Sequence, residues 1–262
     1  MFFRRFNHHR SSRRIGLIAT GGSGIAAIYY YTHLEKTPIT GRRRFISISK
    51  EKEERMSIIS LNNILRENFP LLKKSSRVER VVKRLLEGID PSWNLKGNWD
   101  WSVHLIDDDN EMNAFVLPGG QIFVYTGLLS LCADDSSLAT ILGHEIGHAL
   151  VRHGAEKMSL LFFTETIFSI AYQLLGGGTN AEWIFFSLLK DVLITLPFSR
   201  KCESEADWIG IQLMKRASYD TQKAIDVWKA MSSTSSNIPK ILSTHPSNDE
   251  RIKKIEEWIK EL

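Results

Sequence analysis

Two histidines four residues apart, with a glutamate beside the first, constrain this chain more than any other stretch. They lie in His144-Glu145-Ile146-Gly147-His148. The pattern carries chemistry only on a helix, and its surroundings favour one. Asp134 or Asp135 can cap the start, no proline interrupts the run from Ser136, and Gly154 offers a stop. Four residues make slightly more than one turn, so both imidazoles share a face with Glu145 beside them. Such a pair can hold one Zn2+ and leave room for a water, whose pKa the metal lowers to about 7. Glu145 is then placed to take the proton as general base. Leu138, Leu142, Ala149 and Leu150 point away from that face, so the helix can also serve the core. The bland alternative is a chance match on a surface helix. A buried setting argues against it, because unpaired ionisable groups there are costly.

With 262 residues, 43% of them hydrophobic, the chain suits one large domain or a domain plus an extension. The net charge of +4 is unevenly placed: residues 1–34 hold five arginines and no acid, leaving 29 basic against 30 acidic residues elsewhere. The basic balance therefore reports the leader, and no nucleic-acid surface is expected. Cys132 and Cys202 are the two cysteines, without C-x-x-C spacing, and such sparse usage argues against a disulfide.

Residues 1–14 are Arg-rich, acid-free and Ser-containing, which is the composition of a mitochondrial targeting region. Residues 15–31 form an uncharged run ending in three tyrosines, read as a short transmembrane segment with an aromatic interface. A cleaved secretory signal is the rival reading, and five arginines before the apolar run are heavy for one. Residues 32–54 read as a linker, and residues 55–262 as one domain built around the candidate zinc site.

Within that domain, helices are expected over Met56–Phe69 and Arg77–Leu86, parted at Pro70. Strands are expected at Trp99–Ile106, Ala114–Leu117 and Gln121–Thr126, the last two joined by Pro118-Gly119-Gly120. An edge of this sheet, at Asn113, Ala114 and Phe115, could pair with an extended substrate strand. His104 has no partner in the pattern and reads as structural. Met158–Leu175 and Trp183–Phe198 are apolar but carry charges, and suggest a helical hairpin in the domain or against the bilayer.

Zinc in a hydrolase needs a third protein ligand and one open position. His153, five residues beyond His148, points to another side of the helix. The best candidate is Glu203, in Cys202-Glu203-Ser204-Glu205-Ala206-Asp207 at the start of a later apolar-periodic helix. Asp207, four residues on, would accept the spare N–H of a ligand histidine, while Glu205 falls about 200° round the helix and should look elsewhere.

Three blocks now resemble one family, the membrane-associated zinc peptidases that include CAAX prenyl proteases and bacterial heat-shock membrane proteases. They are Asn113-Ala114-Phe115 with Pro118-Gly119-Gly120, the His144–His148 block, and Glu203-x-x-Ala206-Asp207. The closing Thr244-His245-Pro246-Ser247 followed by Arg251 looks most like the mitochondrial inner-membrane branch, the OMA-type peptidases. The resemblance spans about residues 55–262. It implies an ATP-independent endopeptidase that cleaves inner-membrane proteins under stress, with its catalytic domain facing the intermembrane space. It carries over His144, His148 and Glu203 as ligands of one Zn2+ per chain, and Glu145 as base. It also lifts His245 from a loop residue to a catalytic candidate that stabilises the oxyanion; Arg251 could simply pair with acids. The multiple membrane spans of the prenyl proteases are absent, which points away from prenyl-protein processing.

The expected fold is α+β, mainly α: a zincin-like metallopeptidase domain with a small sheet and an N-terminal membrane helix. Expected partners are membrane-protein substrates and the lipid bilayer, with self-association left open. The competing readings are a non-catalytic zinc-stabilised scaffold and a secretory-pathway metallopeptidase of the same family.

Overall fold

The computed structural model describes residues 24–68, 72–93, 95, 99–174, 196–233, 239–245 and 249–262. The expected targeting region 1–14 lies outside them, as do residues 15–23 of the expected span; residues 24–32 are helical. Among the described residues no helix is long and apolar enough to cross a membrane. The stretch read as a linker is folded onto the domain. Strands β1 (Leu34–Lys36) and β2 (Arg43–Phe45) form an antiparallel hairpin with Leu34 opposite Phe45. Helix α1 (Lys50–Asn68) follows.

A four-stranded sheet covers one side of the core, ordered β3–β4–β6–β5. Its strands are β3 (Leu72–Lys73), β4 (Ser102–Ile106), β5 (Ala114–Leu117) and β6 (Gln121–Tyr125). Strands β5 and β6 turn at Gly119 and Gly120, whose φ values of 92° and 99° are left-handed and suit glycine. That turn inserts β6 beside β4 in parallel, with His104 opposite Phe123, a pairing that alternation of residue type cannot announce. His104 stacks on Phe123 at 4.6 Å and meets Gln121, so its role is structural.

Between β3 and β4, helix α2 (Ser76–Glu87) is capped by Ser75, whose side chain accepts from the Val78 amide. Its stripe Val78, Val81, Val82 and Leu85 is buried. After β6 come the short α3 (Thr126–Leu129) and the central α4 (Asp135–Leu150). Asp134 caps α4 by accepting from the Ser137 amide at 2.7 Å. The helix ends earlier than the glycine signal implies. Val151 is the C-cap and Arg152 turns the chain at φ 53°, held by two bonds to Glu53 at 2.8 and 2.5 Å. Gly154 instead lies in the first turn of α5 (His153–Leu174). The second arm of the expected helical hairpin lies outside the described residues as far as 195.

Helix α6 (Leu196–Arg216) packs along α4, and α7 (Lys223–Ser233), α8 (Lys240–Thr244) and α9 (Asp249–Glu261) close the domain. The contact between α4 and α6 is main chain against main chain. A Cβ at Gly147 would lie 2.9 Å from the Ala206 carbonyl, and one at Gly210 2.9 Å from the His144 amide. Both cysteines are free and buried, and burial pushes the Cys132 thiol up to about 12.

Two outcomes follow from this packing. Gly210→Ala adds helix propensity of about 1 kcal/mol, yet forces backbone apart and should lower stability by about 1–3 kcal/mol net. Gly154→Ala meets open space and should raise stability by up to about 1 kcal/mol; urea unfolding midpoints read both. Iodoacetamide at pH 8 should leave the native thiols unmodified and label both after denaturation, with mass spectrometry as the readout.

Candidate metal centre

Helix α4 delivers His144, Glu145 and His148 from a segment buried on nearly every side. Helix α6 delivers Glu203 and Asp207 across the glycine contact, and the C-terminal end of α8 delivers His245. The Nε2 atoms of His144 and His148 lie 3.0 Å apart. Glu203 brings Oε2 to 3.2 Å from the first and Oε1 to 3.4 Å from the second. His245 Nδ1 lies 3.2 Å from His144 Nε2 and 3.0 Å from Glu203 Oε2, so four donor groups converge where three were expected.

Hydrogen bonding behind the donors fixes which atoms face inward. His144 Nδ1 donates to Asp207 Oδ1 at 2.8 Å, leaving Nε2 with its lone pair. Behind His148, the Nδ1 atoms of His148 and His153 are 2.8 Å apart, and His153 Nε2 lies 3.0 Å from Glu205 Oε2. A carboxylate only accepts, so His153 donates through Nε2 and accepts through Nδ1. His148 therefore donates from Nδ1 and also presents a bare Nε2. Two such nitrogens 3.0 Å apart need a cation between them, either a proton held in a hydrogen bond or a metal ion that displaces it. The donor set thus fits a metal ion, and a mixed imidazole–carboxylate set suits zinc.

Electrostatics point the same way. For His144, burial opposes the charged form, but Asp207 outweighs it and raises the pKa to about 9, so without a metal this ring holds a proton that it shares with His148 Nε2. Burial pushes the His148 imidazole well below its usual value. Burial works to raise Glu203, yet its histidine contacts hold it well below the carboxylate range. Burial raises Glu145, whose Oε1 has no hydrogen-bond partner and lies 3.4 Å from His245 Nε2. Arg251 clamps Asp207 through Nε at 2.5 Å and Nη2 at 2.7 Å, with its guanidinium 3.6 Å over the Trp228 ring. Its Nη1 donates to the His245 carbonyl at 3.2 Å.

A profile of peptidase family M48 matches residues 72–259. The chain belongs to that family. This M48 peptidase is 38% identical over 253 residues to the mitochondrial metalloendopeptidase OMA1 of Schizosaccharomyces pombe, covering 94% of the chain and 71% of the relative. It is 33% identical to the Saccharomyces cerevisiae protein of the same name over 267 residues, covering 95% and 75%. To the β-barrel assembly-enhancing protease of Escherichia coli it is 29% identical over 157 residues, covering 56% and 32%.

Asn113, Ala114 and Phe115 lie at and just before β5, the last strand in the sheet order, which packs against α4. Asn113 is buried with its Oδ1 unpartnered, Ala114 is buried, and Phe115 stacks on Phe123 at 5.0 Å. Sequence reasoning did not connect His153 and Glu205 to the ligands, nor Trp228 to Arg251. The one signal available was that His153 and Glu205 were each expected to face away from the ligands on their own helix. Replacing Arg251 by Met strands Asp207 as a buried charge. Stability should fall by about 3 kcal/mol or more, read by chemical denaturation.

Proposed function

We propose that this M48 metallopeptidase is an ATP-independent zinc endopeptidase that cleaves membrane proteins at the mitochondrial inner membrane, in stress response and quality control. Its catalytic domain would face the intermembrane space. The mitochondrial metalloendopeptidases it resembles and the arginine-rich, acid-free leader support that location. The convergence of the His144 and His148 Nε2 atoms on Glu203 carries the chemical reading.

When bound, zinc supplies Lewis acidity, polarising a carbonyl and acidifying water towards a pKa of about 7. His144, His148 and Glu203 would hold the ion, with Asp207 and Arg251 fixing the first ring. Burial raises the pKa of Glu145, which makes its ionised carboxylate a stronger base than a free one, and Oε1 has no hydrogen-bond partner. That carboxylate is suited to take a proton from water as attack begins and to hand it to the leaving amine. His245 Nε2, on the Glu145 side of the site, would donate to the oxygen that gains charge. An extended substrate would lie along β5, with Asn113 Oδ1 accepting from its main chain. The lipid bilayer would be met through residues 15–31, and self-association is compatible with this arrangement.

Zinc content measured beside peptide hydrolysis tests the reading. Glu145→Gln should retain one zinc per chain and lose at least about 100-fold in kcat. Zinc retained without hydrolysis in the wild type itself would favour the zinc-stabilised scaffold, and unchanged hydrolysis in the variant would remove Glu145 as the base. A reporter fused to residues 1–45 should enter mitochondria, and reporter in the endoplasmic reticulum would defeat the location.

A further inference from the structure

The family match begins at residue 72, yet the hydrogen-bonded chain behind His148 begins thirty residues earlier, on the β1–β2 hairpin. The tip of that hairpin is braced from within. The Thr37 amide donates to the Arg42 carbonyl at 2.8 Å, Gly41 takes a left-handed φ of 70°, and the Thr37 and Thr40 hydroxyls are 2.6 Å apart. This turn presents Arg42 to two acids on different helices. Nη1 and Nη2 donate to the two oxygens of Glu156 on α5 at 2.7 and 2.6 Å, and Nε donates to Glu205 Oε2 on α6 at 2.6 Å. Thr40 Oγ1 donates to the other oxygen of Glu205.

Glu156, Glu205 and His153 are each buried to 6% exposure or less. Two carboxylates at such depth need a shared cation, and a planar guanidinium is the one side chain that can serve both with directed bonds. Burial works against its charge, but Glu156 and Glu205 hold the Arg42 pKa above its ordinary value. His153, Glu156 and Cys202 also lie close enough to suggest a second metal group. Arg42 already satisfies Glu156 there, and burial keeps the Cys202 thiol protonated, so the cluster reads as support.

We propose that Arg42 is a positioning residue of the metal centre. It clamps Glu205, which orients His153, which sets the ring angle and donor atom of His148. The chain has one direction: Arg42 can only donate, Glu205 can only accept, and His153 passes that polarity to His148 Nδ1. The hairpin is seated firmly enough to carry this. Arg44 donates to the Val151 carbonyl at the end of α4, Phe45 is buried, and the Ser47 and Ile48 amides donate to Ser159 Oγ at 3.0 and 3.2 Å. The role rests on His148 being a zinc ligand, as argued above.

The test measures zinc affinity of the full chain by chelator competition, with the visible spectrum of the cobalt-loaded protein as a second readout. Arg42→Met should weaken zinc binding about tenfold, the lower end of losses seen when groups behind a ligand are removed, and should shift the cobalt bands. Arg42→Lys should restore only part, since an ammonium cannot fork to Glu156 and reach Glu205. Thr40→Val, a milder change, should move affinity the same way by less. In His153→Phe the link is already cut, so adding Arg42→Met should cost nothing further; a merely structural Arg42 would give additive losses. Unchanged affinity and spectrum in Arg42→Met, or additive losses in the double variant, would overturn the proposal. A wild-type chain that binds no zinc would overturn the metallopeptidase reading on which it rests.

Discussion

At Gly143, Gly147 and Gly210, helices α4 and α6 approach until main chain meets main chain. That contact decides how far apart the His144 and Glu203 backbones stand. It also decides which acid can bridge them. Glutamate is long enough to place both oxygens within 3.4 Å of the two imidazoles. A wider crossing, with ordinary side chains between the helices, would leave even that side chain short. Small residues serve here as a ruler, and the core around Ile141, Leu142, Ile146 and Ile209 keeps the ruler rigid.

Burying so many ionisable groups in one place is costly unless each finds a partner. The protein meets that demand in layers. Asp207 answers His144 and is itself answered by Arg251, which rests on the face of Trp228. Glu205 answers His153, which answers His148. Each row ends in an arginine, a group that stays charged and cannot reverse the direction of its bonds. Glu145 alone keeps a buried oxygen without a hydrogen-bond partner among these residues, as the proton-transfer role proposed for it would require.

Much of this could be read before any coordinates. The spacing of His144 and His148, the placement of Glu203 and Asp207 on a second helix, and the three strands before the motif all followed from periodicity and turn residues. The parts that stayed hidden share a cause. The parallel pairing of β4 and β6 depends on how a hairpin folds over, not on local pattern. The end of α4 is set by Arg152, whose strain is held by Glu53 nearly a hundred residues away, so Gly154 drew attention to the wrong place. His153 and Glu205 looked like outward-facing residues because each helix was considered alone. Their shared side becomes visible only when α4, α5 and α6 are assembled.

The hairpin at residues 34–45 separates two ideas of where this enzyme begins. The family profile starts at residue 72, while the alignments to the yeast relatives also take in the hairpin. Cooperative geometry starts earlier, because Arg42 and Arg44 reach into the corner where α4 gives way to α5. A relative can therefore keep every signature residue intact while differing in the hairpin. Drift in that forward stretch would retune the metal's surroundings invisibly to any comparison confined to the signature.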